Sequence, residues 1–281
     1  MSSLAYPLCC LPNFNIPLSS LLGKGMVDNY ISLTCHPIRR IRTMFEMKVI
    51  PIRTRMFRQG DSLEDFIVEH LARPNEGGII AVTSKIVALS QGRVVSLTGP
   101  MEKERWIRKG SSQTLKTPWC FLTKVNGEWV ANAGVDESNA DGSLILLPRN
   151  IQRTAASLIT RLKKRYRLQR LGVIITDTRI YPMRVGTMGV AVGYAGFAPI
   201  KNYVGMPDLF GRKLKRTQAN IVNALAVAAV LVMGEGAERR PLAVIEGADV
   251  VFGGHAPSIA SLTIDPRDDL YNAAYANRRR H

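Results

Sequence analysis

From Lys48 onward the apolar positions change spacing repeatedly, short continuous runs giving way to helical periodicity and back again. Lys48-Val49-Ile50-Pro51-Ile52 predicts a first strand. Ser62 to Leu71 predicts a helix with Ser62 as N-cap and Asp65, three residues on, as capping-box partner. Gly78-Ile79-Ile80-Ala81-Val82 predicts a buried strand that runs through Thr83-Ser84-Lys85 into a short helix ending at Gly92. Asn150 is expected to cap a helix reaching about Arg167, with Ala155, Leu158, Ile159 and Leu162 on its inner face. Leu171 to Thr176 predicts the next strand, and Thr217 to Met233, rich in Ala and Val and apolar on most sides, a buried helix. Leu242 to Ile245 closes the series as one more strand. This alternation predicts an α/β (mixed α+β) enzyme fold.

At 281 residues and 46% hydrophobic content the chain can bury a substantial core. Its longest apolar stretch, Ile221 to Met233, is interrupted by Asn223 and falls short of a membrane span. Cys9, Cys10, Cys35 and Cys120 show neither metal-ligand spacing nor a disulfide framework, which predicts a reduced, cytoplasmic protein. Residues 1–46 carry three of the cysteines and no sustained periodicity, so they are expected to be an extension, with the working domain over 47–250 and a basic-tailed segment over 251–281. The formal charge of +16 predicts attraction to anions. The clusters Arg39-Arg40, Lys163-Lys164-Arg165 and Arg278-Arg279-Arg280 do not interleave with aromatics as a single-strand stacking surface would. Recruitment of small anions or plain solubility is therefore favoured over specific nucleic-acid binding.

Asp136 and Asp177 stand where apolar runs meet polar turns, each with oxygen-bearing neighbours: Ser138 and Asn139 beside the first, Thr178 beside the second. Hard divalent cations that carry phosphates take such ligands. Asp177, at a strand's C-terminal end, holds the position where open α/β sheets bind ligands. Each also has an ordinary reading, as turn chemistry for Asp136 and a helix N-cap for Asp177. Thr83-Ser84-Lys85 opens a helix after a strand, which suits either a phosphate or a plain cap. Glu235 ends the long helix between Gly234 and Gly236, where the helix dipole disfavours an acid and a cation would compensate. The glycines from Gly189 to Gly196 suit either backbone approach to a ring or phosphate, or a series of tight turns. His36, His70 and His255 lack partners at ligand spacing and read as structural or surface residues.

Taken in order, these segments resemble the γ-glutamyl ligases that build the tail of the deazaflavin coenzyme F420. The matching pieces are Thr83-Ser84-Lys85-Ile86-Val87 with Gly92-Arg93, then Asn132-Ala133-Gly134-Val135-Asp136-Glu137-Ser138-Asn139 and Leu146-Leu147-Pro148. Val173-Ile174-Ile175-Thr176-Asp177-Thr178 follows, then Arg184, Gly186, Asp208-Leu209-Phe210-Gly211-Arg212 and Met233-Gly234-Glu235-Gly236. The resemblance runs from about Lys48 to Gly247. It implies a GTP-dependent ligase that phosphorylates the carboxylate of the coenzyme's lactyl-phosphate arm and lets L-glutamate displace phosphate to form an amide. It further implies two divalent cations (Mg²⁺ or Mn²⁺), with K⁺ as an accompanying ion. Asp136 and Asp177 would act as catalytic carboxylates holding one divalent cation, and Thr178 and Glu235 the other. Ser84, Lys85, Asn139, Met233, Gly234, Gly236 and Arg239 would contact GTP, and a homodimer is expected.

Departures from the family pattern fall at Leu89, Gln91, Arg179-Ile180-Tyr181-Pro182, Asn223 and Ala224. They leave open a related ligase for another carboxylate, or a non-catalytic basic homologue that binds anions or RNA.

Overall fold

The computed structural model describes residues 46–253 and 262–271. In chain order the first half holds β1 (Lys48–Ile52), α1 (Leu63–His70), β2 (Gly78–Thr83), α2 (Ser84–Ser90), β3 (Val94–Ser96), α3 (Pro100–Lys109), β4 (Gln113–Lys116), β5 (Phe121–Val125), β6 (Glu128–Ala131) and β7 (Ser143–Ile145). The second half holds α4 (Ile151–Tyr166), β8 (Leu171–Ile180), β9 (Thr187–Ala195), β10 (Ile200–Asn202), β11 (Gln218–Asn220), α5 (Ile221–Met233) and β12 (Leu242–Glu246). The described residues belong to the compact unit Met44–His281.

The long apolar runs form a five-stranded sheet in the order β1-β12-β2-β8-β9. Only β2 and β8 pair in parallel, with Thr83 opposite Thr176; the other pairs are antiparallel. Both faces of the sheet are covered, which explains strands that read as continuous hydrophobic runs. On one face Phe66, Ile67, Val87, Leu158 and Leu162 from α1, α2 and α4 pack on Ile80, Val82, Val173 and Ile175. On the other, Val222, Leu225, Ala226 and Ala229 of α5 pack on Ile79, Ala81, Ile174 and Ala243.

Several expectations are corrected. The glycine-rich run is neither a ring-binding loop nor a series of turns; it is β9. Its glycines let helices lie close, since a Cβ on Gly189 would stand 2.6 Å from the Ala226 carbonyl of α5 and one on Gly193 2.7 Å from Ile151 of α4. The helix expected from Thr217 starts at Ile221, because Gln218–Asn220 pair with β10 and the Asn220 side chain accepts from the Asn223 N–H as N-cap. It is not buried all round: Val227 and Leu231 are exposed, Leu231 at 81%. Asn150 does not cap α4 with its side chain; it adopts a left-handed backbone and lends only its carbonyl, to Thr154 N–H at 2.9 Å. Ser62 does cap α1, accepting from Asp65 N–H at 3.3 Å. His70 is structural, with Nδ1 paired to the Phe66 carbonyl and Nε2 accepting from Arg55 N–H. His36, His255, Cys9, Cys10, Cys35, the expected extension over 1–46 and the terminal arginines lie outside the described residues, apart from Glu46.

Between α2 and α4 the chain builds a separate small layer. The antiparallel meander β4-β5-β6, the pair β3-β7 and helix α3 enclose a satellite core of Ile107, Ala133, Val135, Leu144 and Leu146. This layer carries Asp136 to the carboxyl ends of β2 and β8.

Candidate active site

The parallel pairing of β2 and β8 sets the site. Both strands deliver their carboxyl ends to one edge, so Ser84 and Lys85 of α2 and Asp177 of β8 emerge side by side. Asp136 arrives from the small layer through a tight turn in which Asn132, Ala133 and Gly134 all take positive φ, at 52°, 51° and 67°. Consecutive left-handed residues are strained. Two buried bonds hold them: Thr123 Oγ1 accepts from Ala133 N–H at 2.8 Å and donates to the Val130 carbonyl at 2.6 Å. The Asn132 side chain accepts from Phe121 N–H at 2.9 Å. Gly134 then lies directly on Leu147; a Cβ there would stand 2.4 Å from Leu147 Cγ.

Ser84, Lys85, Gly134, Asp136 and Asp177 line one small cleft with Leu146, Leu147 and Pro148. Lys85 Nζ lies 2.8 Å from Asp136 Oδ2 and also donates to the Ser138 hydroxyl and carbonyl. Asp136 Oδ1 accepts from Ser138 N–H at 2.7 Å. Burial pushes the Asp136 carboxyl up, but hydrogen bonds from Lys85 and Ser138 outweigh it and hold the group below the usual carboxylate range. Asp177 pairs with Arg179, two residues along the same face of β8. The Arg179 Nε is buried without a hydrogen-bond partner.

Two further carboxyls feel this cluster. Burial pushes Glu235 up, and the charges of Asp177, Asp136 and Glu238 add to it against the pull of Lys85. Burial likewise raises Glu128 on β6, with Arg179 pulling down and Asp177 pushing up. Glu238 folds back to accept from Gly236 N–H at 2.8 Å, closing the loop after α5. The Asn139 amide reaches toward that loop, 3.5 Å from the Gly236 carbonyl. Met233 is buried as the last residue of α5, and Gly234, Gly236 and Arg239 are exposed. Thr178 follows Asp177 on β8, where strand alternation directs its side chain to the opposite face.

Among the described residues no three His, Cys, Asp or Glu side chains are arranged as a metal-ligand set. Lys85 and Arg179 occupy the carboxylates instead. The donor chemistry nonetheless suits a hard divalent cation: Asp136 and Asp177 line one cleft, and their charges reach Glu235, a repulsion that such a cation relieves.

Residues 98–247 match the profile of the F420-0:Gamma-glutamyl ligase family. A protein from Methanopyrus kandleri named coenzyme F420:L-glutamate ligase is 37% identical over 212 residues, covering 69% of this chain and 83% of its own. Proteins of the same name from Methanosarcina acetivorans and Archaeoglobus fulgidus are 35% and 29% identical, over 69% and 76% of this chain and 83% and 92% of theirs. The chain belongs to the F420-0:gamma-glutamyl ligase family. The family match takes in the small layer from α3 onward, Asp136, Asn139, Asp177, Thr178, Glu235 and Arg239, and begins after Ser84 and Lys85. This family member has the expected mixed α/β fold, and no helix among its described residues is long and apolar enough to cross a membrane.

Sequence reasoning missed Arg179, Glu128 and Glu238. The signal for Arg179 was its i, i+2 spacing from Asp177 on a strand. For Glu128 there was none, since only the packing of the small layer brings β6 beside β8.

Proposed function

We propose that this protein uses GTP to join L-glutamate to the carboxylate of the deazaflavin F420-0. The observation that carries this reading is the convergence of Lys85, Asp136 and Asp177 in one cleft, with the Glu235 carboxyl close enough to feel both aspartates. The family membership and the relatives' names supply the substrate pair.

In this scheme Asn139, Ser84, Lys85 and the loop from Met233 to Arg239 hold the nucleotide. The acceptor carboxylate attacks the terminal phosphorus, the bond to the bridging oxygen breaks, and GDP leaves. The glutamate amine then attacks the acyl carbon, loses a proton and displaces inorganic phosphate, so that an amide remains. Asp136, Asp177 and Glu235 would hold divalent cations, while Thr178, on the opposite face of β8, stands apart from them. Such ions offset the charge that gathers on phosphate oxygens during transfer. The chain's own cations share that work. Lys85 swings between Asp136 and a phosphate oxygen, and Arg179 holds Asp177 in place through their ion pair. The exposed apolar stripe of α5 fits the expected homodimer.

The test is release of GDP and phosphate by the full chain with GTP, Mg²⁺ or Mn²⁺ and L-glutamate, with and without F420-0. Release that depends on F420-0 and a product one glutamyl unit heavier support the proposal. Nucleotide binding with no F420-0-dependent release refutes the acceptor assignment.

A further inference from the structure

A second cavity of about 310 Å³ lies across the Leu146-Leu147-Pro148 segment from the carboxylate cleft. Its walls come from α3, the β5–β6 turn, the Ala133 turn and the start of α4. Three cations line it, Arg93, Lys109 and Arg149, and no carboxylate does. Among the described residues none of the three makes an ion pair, whereas Lys85 in the neighbouring cleft and Arg179 beside Asp177 are both neutralised. Trp106 supplies an aromatic wall, with Lys109 Nζ 4.7 Å from its ring centroid.

The Arg93 side chain and the Arg149 backbone are held in place. Arg93 Nε donates to the Leu147 carbonyl at 3.1 Å. The Arg149 backbone is gripped by the Gln91 amide at both polar groups: its N–H donates to Gln91 Oε1 at 2.7 Å, and its carbonyl accepts from Nε2 at 3.1 Å. A glutamate in place of Gln91 would lack the donor half of that grip. Burial and the facing charge of Arg149 both lower the Arg93 pKa, so the two guanidinium groups lack a counterion between them. A volume near the lower end of ligand pockets suits a ring system rather than a whole coenzyme.

We propose that this cavity is the acceptor subsite, binding a flat aromatic molecule through its negative charge to Arg93 and Arg149 and through its ring to Trp106 and Lys109. The assignment rests on reading the Asp136–Asp177 cleft as the phosphoryl-transfer centre. Leu146, Leu147 and Pro148 line both spaces, so only that segment lies between them, and an acceptor seated here would extend its reactive arm past it to the cleft.

The test uses the full chain. F420-0 binding is followed by its own fluorescence, and nucleotide binding by a fluorescent N-methylanthraniloyl GTP. Arg149→Gln and Lys109→Gln change exposed side chains that are safe for folding. Each is expected to weaken F420-0 about tenfold, the loss of one charge-assisted contact, and to leave the nucleotide within about twofold. Unchanged F420-0 affinity in both variants overturns the proposal, as does parallel loss of nucleotide affinity, which would make the cavity part of the GTP site. Charge-dependent F420-0 binding without turnover would leave the subsite standing while the ligase reading fails. Wild-type turnover with an unchanged KM for F420-0 in the double variant would do the reverse.

Discussion

Alanine at Gly134 offers the sharpest test of how Asp136 is delivered. The residue has a φ of +67°, a region where an L side chain costs roughly 1 kcal/mol. The added Cβ would also lie 2.4 Å from Leu147 Cγ and 2.7 Å from both of its methyl groups. Those atoms belong to a half-buried side chain pinned by its neighbours, so relief requires the segment to shift, an overpacking cost of ~1–3 kcal/mol. Together they predict that Gly134→Ala destabilises by ~2–4 kcal/mol. Urea unfolding followed by circular dichroism reads the total. A cycle with Leu147→Ala separates the parts: truncating Leu147 removes the clash but not the backbone term, so the double variant recovers ~1–3 kcal/mol relative to additivity. Additive effects, or a single-variant loss below about 0.5 kcal/mol, refute the close approach.

Asp136→Ala and Asp177→Ala are each expected to cut F420-0-dependent GDP release by about a thousandfold while retaining a native circular-dichroism spectrum; unchanged release by either removes that residue from the site. Gly189→Ala, at a position without positive φ, is expected to lower stability by about 2 kcal/mol through overpacking alone, because its Cβ would meet the Ala226 carbonyl at 2.6 Å, and thermal unfolding checks it. Tyr166 donates to the Leu71 carbonyl at 2.9 Å, and burial pushes its hydroxyl from 10.0 up to about 12. The folded state thus holds this proton longer than the unfolded chain, and the stabilisation is complete below pH 10 and lost as pH rises toward 12. Tyr166→Phe is expected to cost about 1 kcal/mol at neutral pH and progressively less above pH 10, measured by denaturant titration across that range.

The central sheet was legible because its strands are buried on both faces and bounded by turns: Gly78–Val82, Leu171–Thr176 and Leu242–Ile245 read as strands from composition alone. Helices α1 and α4 were equally plain, since Leu158, Ile159 and Leu162 repeat at helical spacing. The small layer was not. Helix α3, Pro-Met-Glu-Lys-Glu-Arg-Trp-Ile-Arg-Lys, buries little beyond Ile107, and β4 has no buried residue. Their order comes from tertiary packing around Ala133 and Leu144, which periodicity does not report. The glycines of β9 misled for a related reason: spacing shows where a side chain is missing but not what approaches there. At the site, Asp136, Lys85 and Asp177 were found as separate signals, but bringing them into one cleft needed the β2–β8 register and the packing of the small layer. The second cavity had no signal at all, because its three cations come from three separate segments.

The position of β12 has a consequence for biosynthesis. It lies between β1 and β2 and, among the described residues, is the only strand that pairs with β1. During translation β1 leaves the ribosome early but stays unpaired until residues 242–246 follow it. Meanwhile β2 can already join β8, leaving its other edge open. The growing chain thus presents two apolar strand edges for most of its synthesis, an invitation to pairing between nascent chains. A chain stopped short of Leu242 would keep β8 and β9 together but leave β1 with no place in the sheet. Among the described residues, the last strand made is the one that closes the central sheet.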